Sequence, residues 1–358
     1  MKRREFFKKF SSIALLGALP ATLKAKNTKP EYKWKMVTTW PKNFPGLGTG
    51  AQYLANTINK LSGGRIKVTV YGAGELVPAF EIFDAVSNGV AELGHGSAYY
   101  WKGKNDTFQF FSTVPFGMTA NEMNAWLYKG GGIELWKQAY EDFNLVPMAA
   151  GNTGVQMGGW FNKEINSLSD LKGLKMRIPG LGGEVLKRAG GTPVNLPGGE
   201  LFTALKTGTI DATEWVSPYN DLAFGLHKAA KFYYYPGWHE PGTTLECFVN
   251  KDKYLELPED LKSIILGASK MANLDMLCEM IAKNNEALKI LQNKHNVDIR
   301  PYPEEVLSEL YEISKNVVKE LSLSSDFAKE VYNSYSSFQE KARDWNGISL
   351  KSYLNIEK

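Results

Sequence analysis

The chain is poor in the side chains that most metal and redox chemistry uses. Its 358 residues include four histidines (His95, His227, His239, His295) and two cysteines (Cys247, Cys278). No two histidines stand four apart around a glutamate, which excludes a zinc-protease helix. His239-Glu240 runs directly into Pro241-Gly242, a poor opening for any helix. The cysteines lie 31 positions apart without a Cys-x-x-Cys, which excludes a cysteine metal site. Cys247 falls in a strand-like run and Cys278 in a helical one, so two buried thiols are expected, with a disulfide as the alternative. There is no Gly-x-Ser-x-Gly elbow. Pro179-Gly180-Leu181-Gly182-Gly183 lies between a strand and a helix, but its glycines do not fit G-x-G-x-x-G and no acid closes the next strand. A dinucleotide site is therefore not supported, although free backbone N–H groups at a helix start would suit an anion.

The charge is unevenly placed. The formal net charge is +4, but residues 1–25 hold six cations and one anion. The rest of the chain carries 36 cations and 37 anions, a net of −1, so its composition gives no support to nucleic-acid binding. Residues 1–25 have the layout of an export signal: a basic start, an apolar run at Ile13–Ala21 and a processing site near Leu23-Lys24-Ala25. That run is far short of the roughly 20 residues a membrane span needs. Arg3-Arg4-Glu5-Phe6-Phe7-Lys8 resembles a twin-arginine signal, which implies a periplasmic protein exported already folded.

Hydrophobic residues make up 43% and charged residues 22%, an ordinary globular balance long enough for two domains. Strand-like and helical runs alternate at Lys35–Thr39, Gly48–Leu61, Ile66–Tyr71, Pro78–Ser87 and Ala91–Ser97. The order recurs at Lys175–Ile178, Gly183–Ala189, Val194–Leu196, Gly199–Lys206 and Asp211–Val216. This pattern predicts α/β structure in two lobes, each with a mainly parallel sheet. If the chain leaves the first lobe along Leu145–Gly151 and returns along Phe232–Tyr235, two crossing strands join the lobes and leave a hinged cleft. The expected organisation is an export signal at 1–25, lobe one at 31–150, lobe two at 151–240, a return to lobe one at 241–300 and C-terminal helices at 301–358. Within the return, Pro258-Glu259-Asp260 makes a good first helical turn with proline at its first position. Leu261, Ile264, Ala268, Met271, Leu274, Cys278, Ile281 and Leu288 form an apolar stripe along that helix. About 34 residues at about 1.5 Å each give roughly 50 Å, enough to run along both lobes.

Polar residues at the predicted strand ends of lobe two suggest a ligand site. Gln156 lies among glycines, Arg177 interrupts an apolar strand, Glu214-Trp215 ends another, and Glu240 sits in Trp238-His239-Glu240-Pro241-Gly242. Arg177 offers a planar fork suited to a carboxylate. Two glutamates beside one arginine in a closed cleft call for a cation, and amide, carboxylate and main-chain oxygens are the donors that hard cations prefer. Each residue also has a structural alternative. Arg177 can be paired with a structural acid, Glu214 and Glu240 can be surface or hinge acids, Gln156 can be a sheet amide, and the tryptophans can be core.

These stretches resemble the periplasmic solute-binding subunits of TRAP transporters, the tripartite ATP-independent carriers. The likeness is carried by Gly74-Glu75-Leu76-Val77-Pro78, Val114-Pro115-Phe116-Gly117-Met118, Gly151–Asn162, Leu171–Gly183 and Asp211–Gly242. It is strongest with the branch that binds 2-oxo or 2-hydroxy monocarboxylates together with a metal ion. It implies a two-lobed periplasmic binding protein fold in which Arg177 holds the substrate carboxylate and Gln156 touches substrate and metal. Glu214, the Trp215 carbonyl and Glu240 complete the metal shell, Trp215 and Tyr100 wall the pocket, and Asn152 is a weaker substrate or hinge candidate. Sodium or calcium is the implied ion. The charge sum of Arg177, two glutamates and a monocarboxylate is neutralised by Ca²⁺ rather than Na⁺. The resemblance also implies membrane-embedded transporter subunits as partners and permits a homodimer through the C-terminal helices. Only Arg177 sits on a pocket strand, whereas Lys42, Lys102 and Lys104 lie in polar loops, so a monocarboxylate such as pyruvate is favoured over a dicarboxylate. The expectation is a receptor and not an enzyme; the competing reading is an exported, cofactor-containing enzyme acting on a small carboxylic acid.

Overall fold

A computed structural model describes residues 30–356; the export signal expected at 1–25 lies outside them. The first sheet is built from β1 (Tyr32–Thr38), β2 (Ile66–Tyr71), β3 (Leu93–Gly96), β4 (Leu145–Asn152) and, much later in the chain, β10 (Thr244–Asn250). The second contains β5 (Gly159–Phe161), β6 (Lys175–Arg177), β7 (Thr192–Val194), β8 (Ala212–Thr213), β9 (Phe232–Tyr235) and β11 (Asp298–Pro301). Their orders are β2-β1-β3-β10-β4 and β11-β9-β5-β8-β6-β7. The protein is thus a mixed α/β, two-lobed structure. Local chemistry explains the elements. β2 alternates buried Ile66, Val68 and Val70 with exposed Lys67 and Thr69, the period of a half-covered strand. The helix Leu47–Leu61 buries Leu47, Ala51, Leu54, Ala55 and Ile58, a single helical stripe.

In each sheet one strand runs against the rest. β10 is antiparallel to β3 and β4, and β5 is antiparallel to β8 and β9. These two strands are the ones the chain enters on arriving from the other lobe. The two crossings expected from the sequence are therefore present, but regular pairing stops in the middle of each. Phe232–Tyr235 lies within the second sheet, and the chain crosses through irregular backbone at 153–158 and 236–243. The two segments hold each other: Thr153 N–H donates to the Thr243 carbonyl (3.0 Å), Gln156 N–H to Glu240 (3.2 Å) and Gly237 N–H to Gln156 (2.8 Å). A Cβ on Gly237 would stand 2.5 Å from the Gln156 carbonyl oxygen, so only glycine permits this approach.

The long helix runs from Glu259 to His295, 37 residues, with Pro258 just before it as the cap rather than as its first turn. At about 1.5 Å per residue it is about 55 Å long. Leu261, Ile265, Ala268 and Ala272 pack into the lobe-one core with Met36 and Leu54. Met276, Met280 and Leu291 pack with Trp160 and Tyr233 of lobe two. The stripe expected from sequence is corrected here: Leu274 is 62% and Ile281 70% exposed, and Met271 and Cys278 are exposed too. Two apolar rows share this helix, and the small Ala268 and Ala272 allow theirs to close on the sheet. The two cysteines are both free, Cys247 buried and Cys278 exposed, so neither the two-buried-thiol reading nor the disulfide holds. After the long helix, β11 joins the edge of the second sheet beside β9. The helix Glu304–Leu321 then packs on Gly180–Arg188 of lobe two, and Asp326–Ile348 packs on helices of lobe one. Among the described residues no helix is long and apolar enough to cross a membrane.

Candidate ligand and metal site

The carboxyl ends of three strands converge where the lobes face each other. Arg177 is the last residue of β6, Glu214 follows β8, and Tyr100 lies in the short turn Ala98–Trp101 that follows β3 in the opposite lobe. Arg177 is 1% exposed. Its Nε donates to the Leu196 carbonyl (3.1 Å), Nη1 to the Glu214 carboxylate and more weakly to the Glu214 carbonyl (3.4 Å), and Nη2 to the Tyr100 hydroxyl (3.2 Å). The Trp215 ring lies 5.1 Å from the guanidinium carbon. Burial works against the charge of Arg177, but Glu214 and the other acidic groups around it outweigh that and hold it above its ordinary pKa.

The crossings supply the rest. Gln156 Nε2 donates to Glu240 Oε2 (2.7 Å) and to Thr153 Oγ1 (3.1 Å), and Thr243 Oγ1 donates to the same glutamate oxygen (2.5 Å). Burial first, and the nearby charge of Glu214 second, push the Glu240 carboxyl up to about 7. Gln156 Oε1 and Glu214 Oε2 are buried without a hydrogen-bond partner. Glu214, Glu240 and His239 each present a ligand atom, all within 4.8 Å of one another. Unpartnered oxygens of this kind are what a hard cation would satisfy, so the residues present fit one.

The structure thus brings Gln156, Arg177, Glu214, Trp215, Glu240 and Tyr100 to one place. Asn152 is different. Its Nδ2 donates towards the Gly242 carbonyl (3.3 Å) and Thr244 Oγ1 (3.4 Å), and its Oδ1 accepts from Gly154 N–H (2.9 Å), so its amide ties the crossings together. Lys42 and Lys104 turn outward to Glu75 and Asp84. Sequence reasoning passed over the lobe-one wall, where Trp40 and Phe44 face Trp215 at centroid distances of 6.4 and 6.2 Å. It also set His239 aside because it asked only about a helical zinc motif. The neighbouring Glu240 was the signal that could have found it. Asp221 was missed too; its buried carboxylate accepts from Trp160 Nε1 (2.9 Å), Tyr233 OH (2.7 Å) and Val216 N–H (3.2 Å), fixing the loop that carries Trp215.

A hinged pair of α/β lobes closing on a buried arginine and a cluster of oxygen donors defines a solute-binding receptor. Residues 36–324 match the model of the bacterial extracellular solute-binding protein, family 7, and the chain belongs to that family. It is 43% identical over 99% of both chains to a monocarboxylate 2-oxoacid-binding periplasmic protein of a Nostoc species. A TRAP periplasmic solute-binding protein of Pseudoalteromonas atlantica, solved with sodium and pyruvate, is 43% identical, with TM-score 0.89 over 92% of this chain and 100% of that one. The corresponding protein of Colwellia psychrerythraea, solved with calcium and pyruvate, has the same identity and coverage and TM-score 0.88.

Proposed function

We propose that this protein is the periplasmic solute receptor of a TRAP transporter and binds a small 2-oxo monocarboxylate, such as pyruvate, through a bridging Na⁺ or Ca²⁺. The observation that carries this reading is the buried Arg177–Glu214 pair beside the partnerless Glu214 Oε2 and Gln156 Oε1. Arg177 binds the carboxylate, exchanging Glu214 for the ligand. Gln156, Glu214, the Trp215 carbonyl and Glu240 hold the ion, which when bound neutralises the acids and takes oxygens of the ligand. Trp215 and Tyr100 exclude water, and Asn152 acts in the hinge. No bond is made or broken; binding shifts the equilibrium from open to closed lobes. The receptor leaves the cytoplasm by the twin-arginine signal and delivers its ligand to membrane-embedded transporter subunits.

A second copy of the chain is the natural occupant of its bare apolar surfaces. Leu274 and Ile281 on the long helix, and Trp345 (65% exposed), Ile348 and Leu354 near the C-terminus, are the exposed residues such a partner would cover. A relative from Bordetella bronchiseptica, 36% identical with TM-score 0.89, is described as a dimer holding calcium and picolinate. Sedimentation that returns a monomer across the micromolar range would remove the homodimer from this reading.

The test of the function is a melting-temperature screen of pyruvate, longer 2-oxo acids, lactate and dicarboxylates, each with sodium, calcium or chelator. A ligand at 100 times its Kd contributes about 2.7 kcal/mol, and pyruvate with an ion should show it. An unchanged melting temperature with every acid, or turnover of the bound acid, would count against a receptor.

A further inference from the structure

Glu214 stands between two donors and is held by only one of them. Its Oε1 accepts from Arg177 Nη1, while its Oε2 is buried without a hydrogen-bond partner. On that free side His239 Nε2 lies 3.4 Å away, and neither nitrogen of the His239 ring has a partner either. The His239 side chain is 1% exposed and that of Glu214 0%, so outside water reaches neither. A normal N–H···O contact is about 2.7–3.2 Å, so the pair falls a little short of a bond that both groups lack. His239 is kept in place from behind. A Cβ on Gly182, in the first turn of the helix Gly180–Arg188, would stand 3.0 Å from the His239 Cβ, so the helix packs directly on it. Arg177 keeps the gap open by drawing the carboxylate to its own side. A ligand carboxylate that takes the Arg177 fork strips Glu214 of its one charged partner, and a buried carboxylate is costly to leave bare. A carboxylate only accepts and an imidazole N–H donates, so the nearest replacement is already beside it.

We propose that His239 is a positioning residue that takes over Glu214 on ligand binding: as the ligand carboxylate draws Arg177 away, Glu214 turns to accept from His239 Nε2–H. The inference rests on the reading of Arg177 as the carboxylate clamp. Held by His239, Glu214 stays with Gln156 and Glu240 among the oxygen donors to Na⁺ or Ca²⁺, and an outer hydrogen bond of this kind is what orients a ligating carboxylate. The exchange needs a carboxylate in the ligand. With the ion alone, Arg177 stays on Glu214 and His239 stays free, so the new bond marks capture of the ligand.

The experiment uses the whole protein with ¹⁵N-labelled histidine, in Na⁺ or Ca²⁺, without and with saturating pyruvate. Nuclear magnetic resonance should show one imidazole N–H that shifts downfield and becomes protected from solvent exchange with pyruvate, and not with the ion alone. His227→Gln and His295→Gln exclude those two rings, and His95 is recognised by the Trp40 indole N–H that donates to its Nδ1 (2.8 Å). This arm needs no substitution at His239 and stands even if such a variant folds poorly. In calorimetry, His239→Phe keeps a ring but no donor and should weaken pyruvate binding about tenfold or more. His239→Gln offers an amide N–H in its place and should recover affinity to within about threefold. A ring needed only for packing would give the opposite order. A His239 signal unchanged by pyruvate, or near-native affinity in His239→Phe, overturns the exchange and leaves the Arg177 clamp standing. Near-native pyruvate affinity in Arg177→Ala overturns the clamp and the exchange with it.

Discussion

Arg177 spreads one guanidinium over acceptors from three parts of the chain, the Leu196 carbonyl, Glu214 and the Tyr100 hydroxyl. A lysine has a single charged point and cannot reproduce that fork. Arg177→Ala should lose at least about 3 kcal/mol of pyruvate binding, about a hundredfold in Kd, because the ligand carboxylate is left buried and unpaired. Arg177→Lys should recover only part of this. Calorimetry showing near-native affinity in the alanine variant would remove Arg177 from the clamp. A second buried acid lies away from the ligand. Glu246 accepts from Trp101 Nε1 (2.6 Å) and Tyr140 OH (2.7 Å), and burial pushes its carboxyl up to about 7 despite both donors. The unfolded chain ionises this group near its ordinary value of about 4.5, before the folded protein does. Stability from Glu246 is therefore full below about pH 4.5 and lost as pH rises through about 7, by at most about 3 kcal/mol. Ligand-free Glu246→Gln should lose that part of the pH dependence in denaturant titrations at pH 5 and 8. Equal slopes in both proteins would show that Glu246 is ionised throughout.

At the scale of elements, the crossings do two things at once. They join the sheets, and between Gln156 and Glu240 they present half of the site. That is why Gly237, which has no side chain to offer a ligand, matters to binding. Gly237→Ala would push a methyl to 2.5 Å from the Gln156 carbonyl oxygen. The backbone there has to give, so the variant should lose about 1–3 kcal/mol of stability. Gln156 moves with it, and pyruvate affinity should fall as well. A denaturant midpoint and Kd both equal to those of the unsubstituted protein would mean that the two crossings are looser than this packing implies. The long helix teaches the opposite lesson about small residues. Ala268 and Ala272 face the sheet while larger Leu274 and Ile281 face outward, because close approach, and not side-chain size, chose the buried row.

For the molecule as a whole, closure is an aromatic contact between lobes. Trp40 and Phe44 from the first lobe meet Trp215 from the second, and Trp40 Nε1 is anchored by donating to His95 Nδ1 (2.8 Å). Trp40→Ala removes none of the proposed donors to ligand or ion, but it removes apolar area that only the closed state buries. Pyruvate affinity should drop about tenfold or more, which corresponds to about 1.4 kcal/mol of closed-state stability. Small-angle scattering should then show a larger radius at subsaturating ligand than in the unsubstituted protein. An unchanged affinity would place the closing energy elsewhere.

Local signals in the chain were enough for the α/β order, the two lobes and the spanning helix, and they marked Gln156, Arg177, Glu214 and Glu240 as polar residues at the strand ends of one lobe. Those features are written in local periodicity and in polar residues that break apolar strands, signals that need no knowledge of neighbours. The tertiary structure decided what depends on distant partners. Cys278 lies on the outer face of its helix, and Asn152 turns its amide to the opposite crossing. β11 leaves lobe one for the second sheet, and His239 comes to face Glu214, 25 positions away, because two irregular crossings fold back on each other. A helix or strand announces its period to the reader of a sequence, but irregular backbone has none, and here the irregular backbone carries half of the site.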